Sequence, residues 1–363
     1  MRAQRALTAI TALSLTALAA GCSAAGPDAP ASGGPSEAPA SGVVTVLTHD
    51  SFYLPDEVVA AFEDSSGIDV EFVTTGDGGS LANQIILTKG APIADVVYGI
   101  DNTFASRVVE EGVLVEYVSD APATGSAAYA SVPSLPGLTP VDYSDVCINI
   151  DLTWFEAHDV EPPVTLEDLA EPQYKDLLVV TNPATSSPGL AFLLATVAAF
   201  GDDWSEYWEA LRANGVRVAG SWSDAYYVDF SAPNYGGDRP IVLSYASSPP
   251  SEVIDGVPTS AALLDTCFRQ VEYTGILAGT RNEAGAKAVI DWLLSDDVQS
   301  ALPYAMYVYP VSDTATIPDE WLEHAPLADS PWQLPPAQIE EQRERLILDW
   351  TALGNYLKTT PYH

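Results

Sequence analysis

The sequence predicts an α/β protein of two lobes, each a mostly parallel sheet flanked by helices, with a hinge between them. Three observations carry that expectation. Strand-like and helix-like segments alternate through the first half of the chain, and the alternation resumes after residue 178. Once an N-terminal leader and linker are set aside, about 320 of the 363 residues remain, enough for two modest lobes.

In chain order, residues 43–48 form a short apolar strand. Residues 55–65 place Val58, Val59 and Phe62 at helical spacing, and Gly67 stops that helix. Residues 69–74 alternate as a strand with Val70 and Phe72 on one face. Residues 80–89 are helical, grouping Leu81, Ile85 and Ile86. A third strand at 94–98 and a helix at 103–111, closed by Gly112, complete a β-α-β-α-β-α order that calls for a parallel sheet covered on both faces. In the second unit, 178–181 is a strand, and a turn at 182–188 leads into an apolar helix at 189–200. Residues 241–244 form another strand, 269–277 a long one, and 283–294 a helix. Residues 339–353 form a terminal amphipathic helix. Two such lobes point to a binding protein whose ligand sits in the cleft between them, with hinge closure around it.

The N-terminus reads as an export signal. Arg2 and Arg5 precede an apolar run at 6–20, too short for a membrane span. Small residues Ala19, Ala20 and Gly21 then lead to Cys22, the expected lipid acceptor, with residues 1–21 removed. Leu18 stands one place further from the cysteine than in the usual lipoprotein box. Residues 22–42 hold the lipidated cysteine and a Pro-, Gly-, Ser- and Ala-rich spacer that cannot bury apolar surface. The expected location is the outer face of the cell membrane, anchored by lipid alone.

Net charge is −36, and losing Arg2 and Arg5 with the leader takes it to −38. No basic patch survives that balance, which excludes nucleic-acid binding. Cys147 and Cys267 are left as an even pair in an oxidising compartment, where a disulfide is the default and two separate buried thiols the alternative. No phosphate-cradling loop, nucleophile elbow or zinc-protease helix occurs, and the four histidines are far apart in sequence. Residues distant in sequence can still converge, so a hydrolase stays open, but nothing specific favours one, and the expectation is a non-catalytic protein with no cofactor and no metal.

Seven strings carry a resemblance. They are Thr48-His49-Asp50-Ser51-Phe52, Asp77-Gly78-Gly79-Ser80-Leu81, Asp95-Val96-Val97-Tyr98-Gly99-Ile100-Asp101-Asn102, Thr185-Ser186-Ser187-Pro188-Gly189-Leu190, Gly220-Ser221-Trp222-Ser223-Asp224-Ala225-Tyr226, Leu243-Ser244-Tyr245 with Ser248-Pro249, and Tyr309-Pro310-Val311. In order and spacing the chain resembles the periplasmic thiamine-binding proteins, receptors of ABC importers. The resemblance implies the type II periplasmic-binding fold. One lobe would take 43–143 plus 272–306 and the other 144–271 plus 307–363. It also implies a monomer that hands thiamine, or its mono- or diphosphate, to a permease driven by a separate ATPase.

The same resemblance brings Trp222, Tyr226, Tyr245 and Tyr307 to the ligand as an aromatic cage for a cationic ring. It carries His49, Asp77, Gly78, Ser80, Ser186 and Asp101 to the cleft as well. Trp222 and Tyr226, four apart, share one face if that segment is helical. Asp77 could accept the pyrimidine amine or balance the cation, or could simply form a turn before Gly78. Thr185, Ser186 and Ser187 open a helix at Pro188, a place for a phosphate or for plain capping. Three departures bear on the cage: His49 and Tyr307 stand where the family often has Tyr and Trp, and Ser251 where a further aromatic is common. The alternatives are a ferric-ion receptor using the adjacent phenols Tyr226 and Tyr227, a polyamine receptor favoured by the acidic charge, and, more distantly, a secreted hydrolase.

Overall fold

The computed structural model describes residues 40–117, 119 and 135–359; the export signal, Cys22 and most of the spacer lie outside them. The first unit runs β1 (Gly42–Thr48), α1 (Asp56–Ser66), β2 (Ile68–Thr74), α2 (Gly78–Leu87), β3 (Val96–Asp101) and α3 (Ala105–Glu110), close to the expected order. Gly67 ends α1 in the left-handed conformation at φ 70°, and its N–H bonds back to the Glu63 carbonyl. β1 lies between β2 and β3 and is parallel to both.

Next come β4 (Thr139–Asp151) and α4 (Leu152–His158). The second unit follows as β5 (Leu178–Thr181), α5 (Ser187–Phe200), α6 (Trp204–Ala213), β6 (Arg217–Ala219), a single turn α7 (Trp222–Asp224) continuing as a π-helix over Ala225–Asp229, and β7 (Ile241–Tyr245). Here β5 is parallel to both β6 and β7. A small hairpin, β8 (Val253–Ile254) and β9 (Val257–Pro258), precedes β10 (Ser260–Ile276). The chain ends with α8 (Glu283–Leu293), α9 (Asp296–Met306), β11 (Tyr309–Pro310), α10 (Asp319–His324) and α11 (Pro336–Thr359).

The sheet order β2-β1-β3-β10-β4-β7-β5-β6 explains the two lobes. Each lobe is a parallel trio, and the two trios are joined through the long antiparallel pair β10 and β4. The strand expected at 269–277 is only the second half of β10, which begins at Ser260. The strand β4 escaped the periodicity because Asp142, Ser144, Asp145 and Asn149 interrupt it, although all four are buried. Arg269 meets the fully buried Asp145 as an ion pair inside this seam.

Pairing of β4 with β10 slips between Leu263 and Phe268. Cys147 and Cys267 are disulfide-bonded at that slip, so the expected pair is made. The C-terminal helix touches both sides of the molecule. Its buried Arg343 donates to the Thr103 carbonyl and the Ser106 hydroxyl beside α3, whereas Trp350 packs edge-on against Trp208 of α6 at 5.5 Å.

Candidate functional site

Two groups of residues meet where the parallel trios face each other. The first is a clasp centred on Asp77. An Asp followed by two glycines after β2 is built to cap a helix, and Asp77 caps α2, accepting from the Gly78 N–H at 2.6 Å. The same carboxylate reaches across the cleft. Oδ1 accepts from the Ser187 N–H at 3.2 Å, the start of α5, and Oδ2 from the Trp222 N–H at 2.8 Å, the start of α7. Three helix N-termini, each carrying partial positive charge, would repel at this range; the carboxylate between them offsets that. The Ser80 N–H adds a bond to the Thr185 carbonyl at 3.0 Å.

The glycines are required by this approach. A Cβ on Gly78 would lie 2.0 Å from Ser187 Oγ, and one on Gly79 would lie 2.8 Å from the Thr185 carbonyl carbon. Burial pushes the Asp77 carboxyl above its ordinary range, against the pull of the Ser186 hydroxyl and the Trp222 and Gly78 N–H groups. Ser186 itself is buried, donates to Thr181 Oγ1 and accepts from the Gly189 N–H, the capping role.

The second group is aromatic. Trp222 stacks on Tyr226 with centroids 4.9 Å apart and planes at 16°, as their spacing predicts. The Trp222 indole N–H donates to Ser244 Oγ at 2.9 Å, which fixes the ring's tilt. Tyr226 is fully buried behind it, its hydroxyl on Glu252 at 3.2 Å. Its neighbour Tyr227 reaches the cleft, because a π-helical turn widens the step and rotates the following side chain. Tyr245, at the end of β7, and Tyr307 complete the wall. Tyr307 is held at φ 56°, a conformation costly for a bulky residue, and Ser247 donates to its carbonyl there.

Trp222, Tyr227, Tyr245 and Tyr307 line a narrow cavity of ≈ 20 Å³ together with His49, Ser51, Glu272 and Met306. No Lys or Arg is among its lining residues. His49 seats against Gly99, whose Cβ would fall 2.2 Å from the imidazole. His49 Nδ1 pairs with Ser51 Oγ at 2.9 Å, and Nε2 lies 3.6 Å from Glu272 Oε2. Burial lowers the His49 pKa, but the charges of Glu272, Asp77 and Asp50 outweigh it and leave it raised.

Glu272 belongs to a rung of acids. It pairs with Asp101 on β3 and with Asp142 on β4, and all three are buried. Like charges opposite one another in a sheet are destabilising. Burial raises Asp101 to about 7, with Glu272 adding to the shift and Thr103 opposing it. Asp142 stands well above its usual range, from burial first and then Glu272, while Tyr98 donates a hydrogen bond to it.

The candidate residues therefore separate. His49, Trp222, Tyr245 and Tyr307 line the cavity, and Asp77, Gly78, Ser80 and Ser186 build the clasp. Tyr226 and Asp101 lie behind, and Ser251 is not among the lining residues. Tyr227, Glu272 and Met306 line the cavity without having been singled out as cage or clasp residues. A more spacious hollow is lined by Asn102, Leu135, Phe268, Leu334 and Ile339 among others, but Phe268 is its sole aromatic.

An aromatic cleft between two α/β lobes joined by crossover strands defines a solute receptor of the type II binding fold. The chain belongs to the bacterial extracellular solute-binding protein family, whose model matches residues 91–333. It is similar to the thiamine-binding periplasmic protein of Escherichia coli K12, 28% identical over 321 residues that cover 85% of this chain and 92% of that one. The solved structure of a periplasmic thiamin binding protein superposes with TM-score 0.75 at 26% identity, covering 86% and 96% of the two chains. A ferric binding protein from Campylobacter jejuni shares the fold, with TM-score 0.67 at 14% identity over 86% and 99%.

Proposed function

We propose that this protein is a non-catalytic receptor that binds thiamine in the interlobe cleft and presents it to an ABC permease driven by a separate ATPase. The carrying observation is the cavity itself: Trp222, Tyr227, Tyr245 and Tyr307 surround a space that has Glu272 at its floor and no Lys or Arg in its lining. Thiamine offers a permanently cationic thiazolium and a flat aminopyrimidine. Ring faces attract such a cation, and a buried carboxylate balances it. The likeness to thiamine-binding proteins along most of the chain supports the same ligand.

The lobes are proposed as 43–143 plus 272–306 and 144–271 plus 307–363, with β4 and β10 as the hinge. The clasp supports closure by approach of α2 to α5. It also bears on phosphorylated thiamine: the Ser187 and Trp222 N–H groups are taken by Asp77, so a phosphate reaches them only by displacing that carboxylate. Lipid on Cys22 would keep this monomeric receptor at the outer membrane face, within some 25 Å of the bilayer by coil scaling of its spacer.

Iron fits the cleft less well. Of the two adjacent phenols, Tyr226 is buried with its hydroxyl spent on Glu252, which leaves Tyr227 alone at the cavity. The deciding experiment is calorimetric titration of the mature domain with thiamine, its two phosphates, ferric ion and spermidine. Thiamine is expected to bind most tightly. Silence with every thiamine form, beside tight iron binding with a phenolate charge-transfer band, would sink the proposal.

A further inference from the structure

The floor of the cleft holds a charge arrangement that the cage does not explain. Asp101, Glu272 and Asp142 form one rung across three neighbouring strands. Glu272 is the member that lines the cavity. The group facing it is the His49 imidazole, at 3.6 Å, beyond hydrogen-bond length but within ion-pair range. His49 Nε2 and Asp142 Oδ1 are buried without a hydrogen-bond partner among the described residues. Of the two, His49 lines the cavity, and an imidazole nitrogen left unmatched there is poised for another partner.

We infer that Glu272 is the counter-ion of the ligand's cation, and that His49 holds that place in the free receptor and gives up one proton when the cation arrives. The inference rests on the thiamine reading and deepens it. In the exchange, the organic cation takes over the neutralisation of Glu272, the imidazolium loses its N–H proton to solvent, and the net charge of the cleft is conserved. No bond other than that N–H is broken. A fixed cation cannot share Glu272 with an imidazolium, since two like charges would then face one carboxylate inside a low-dielectric cavity.

Several other acids surround His49, but Glu272 is the one among the cavity's lining residues. Asp50 lies on its own loop, Asp77 caps α2, Asp101 lies on β3, Glu272 on β10 and Asp142 on β4. Tyr98, whose ring lies 6.2 Å from the imidazole, is a neutral donor to Asp142. The upward shift of the His49 pKa, set by Glu272, Asp77 and Asp50 against burial, points the same way.

The test is calorimetry of thiamine binding between about pH 5.5 and 8, repeated in buffers of different ionisation enthalpy. The expected result is release of one proton per thiamine in the acid limb, with affinity rising about tenfold per pH unit until His49 is neutral. His49→Gln should abolish both the release and the pH dependence. Glu272→Gln should weaken thiamine about tenfold or more, and nuclear magnetic resonance should show the His49 pKa falling in the ligand-free variant. Thiamine binding without proton release, or an unchanged affinity in Glu272→Gln, overturns the exchange while sparing the receptor. Silence from wild-type protein at every pH instead removes the thiamine reading itself. A His49 pKa unmoved by Glu272→Gln overturns the pairing in either case.

Discussion

The clasp and the cage lie side by side and obey different rules. In the clasp, one carboxylate meets three backbone N–H groups and the two glycines beside it let the helix ends meet, while the Ser187 hydroxyl is the polar atom left over. In the cage and its floor, an imidazole nitrogen and a carboxylate oxygen are buried unmatched, and a bulky residue, Tyr307, is held at positive φ. Satisfied polar groups rigidify a junction, whereas unsatisfied ones are costly unless something else uses them. The contrast separates what closes the lobes from what recognises the solute.

Substitutions should divide along the same line. Trp222→Ala removes the central ring but keeps the backbone N–H that Asp77 uses. Thiamine affinity should fall about a hundredfold, near 3 kcal/mol, with closure geometry retained. Unchanged affinity in calorimetry would detach the cage from the ligand.

Gly78→Ala acts on the clasp alone. Its methyl would press on the Ser187 side chain only when the lobes meet. The variant should fold with a melting temperature near wild type, bind thiamine roughly tenfold more weakly, and scatter X-rays as a more open particle. A compact particle would show that the lobes close by another route. Asp77→Asn is milder: its oxygen still serves Gly78 and Ser187, but its amide faces the Trp222 N–H, donor against donor. A few-fold loss of affinity is expected, together with partial opening in solution.

The smallest effect concerns pH. The Asp142 pKa is raised in the folded state, so the native protein holds a proton that the unfolded chain releases. Stability attributable to this group therefore declines as pH climbs from the unfolded carboxylate range, near 4, toward the folded value. Asp142→Asn should flatten that decline in denaturant midpoints measured between about pH 4 and 7. An identical slope in the variant would place the titration on another group.

Only the parts of the clasp were legible in advance. Asp77-Gly78-Gly79-Ser80 after a strand reads as a ligand contact or a turn, and Ser186-Ser187-Pro188 as a helix start, but neither string says that the two meet. The pairing of Cys147 with Cys267 followed from compartment and parity. The floor was hidden. Glu272 is one acid among 50 Asp and Glu residues, and nothing local marks it as lining a cavity. Its rung depends on the register of β10 against β3 and β4, strands far apart along the chain.

The choice between two adjacent tyrosines shows the boundary most sharply. Local spacing was enough to stack Trp222 on Tyr226, because a helical step of four brings side chains together whatever surrounds them. It could not say which way the pair faces. That depended on the π-helical turn, on Glu252 receiving the Tyr226 hydroxyl, and on the opposite wall at Tyr307. Short-range order follows from backbone geometry and residue chemistry, which neighbours along the chain carry with them. Which side of an element is core and which is cleft is settled only when distant strands pair and the two lobes close on each other.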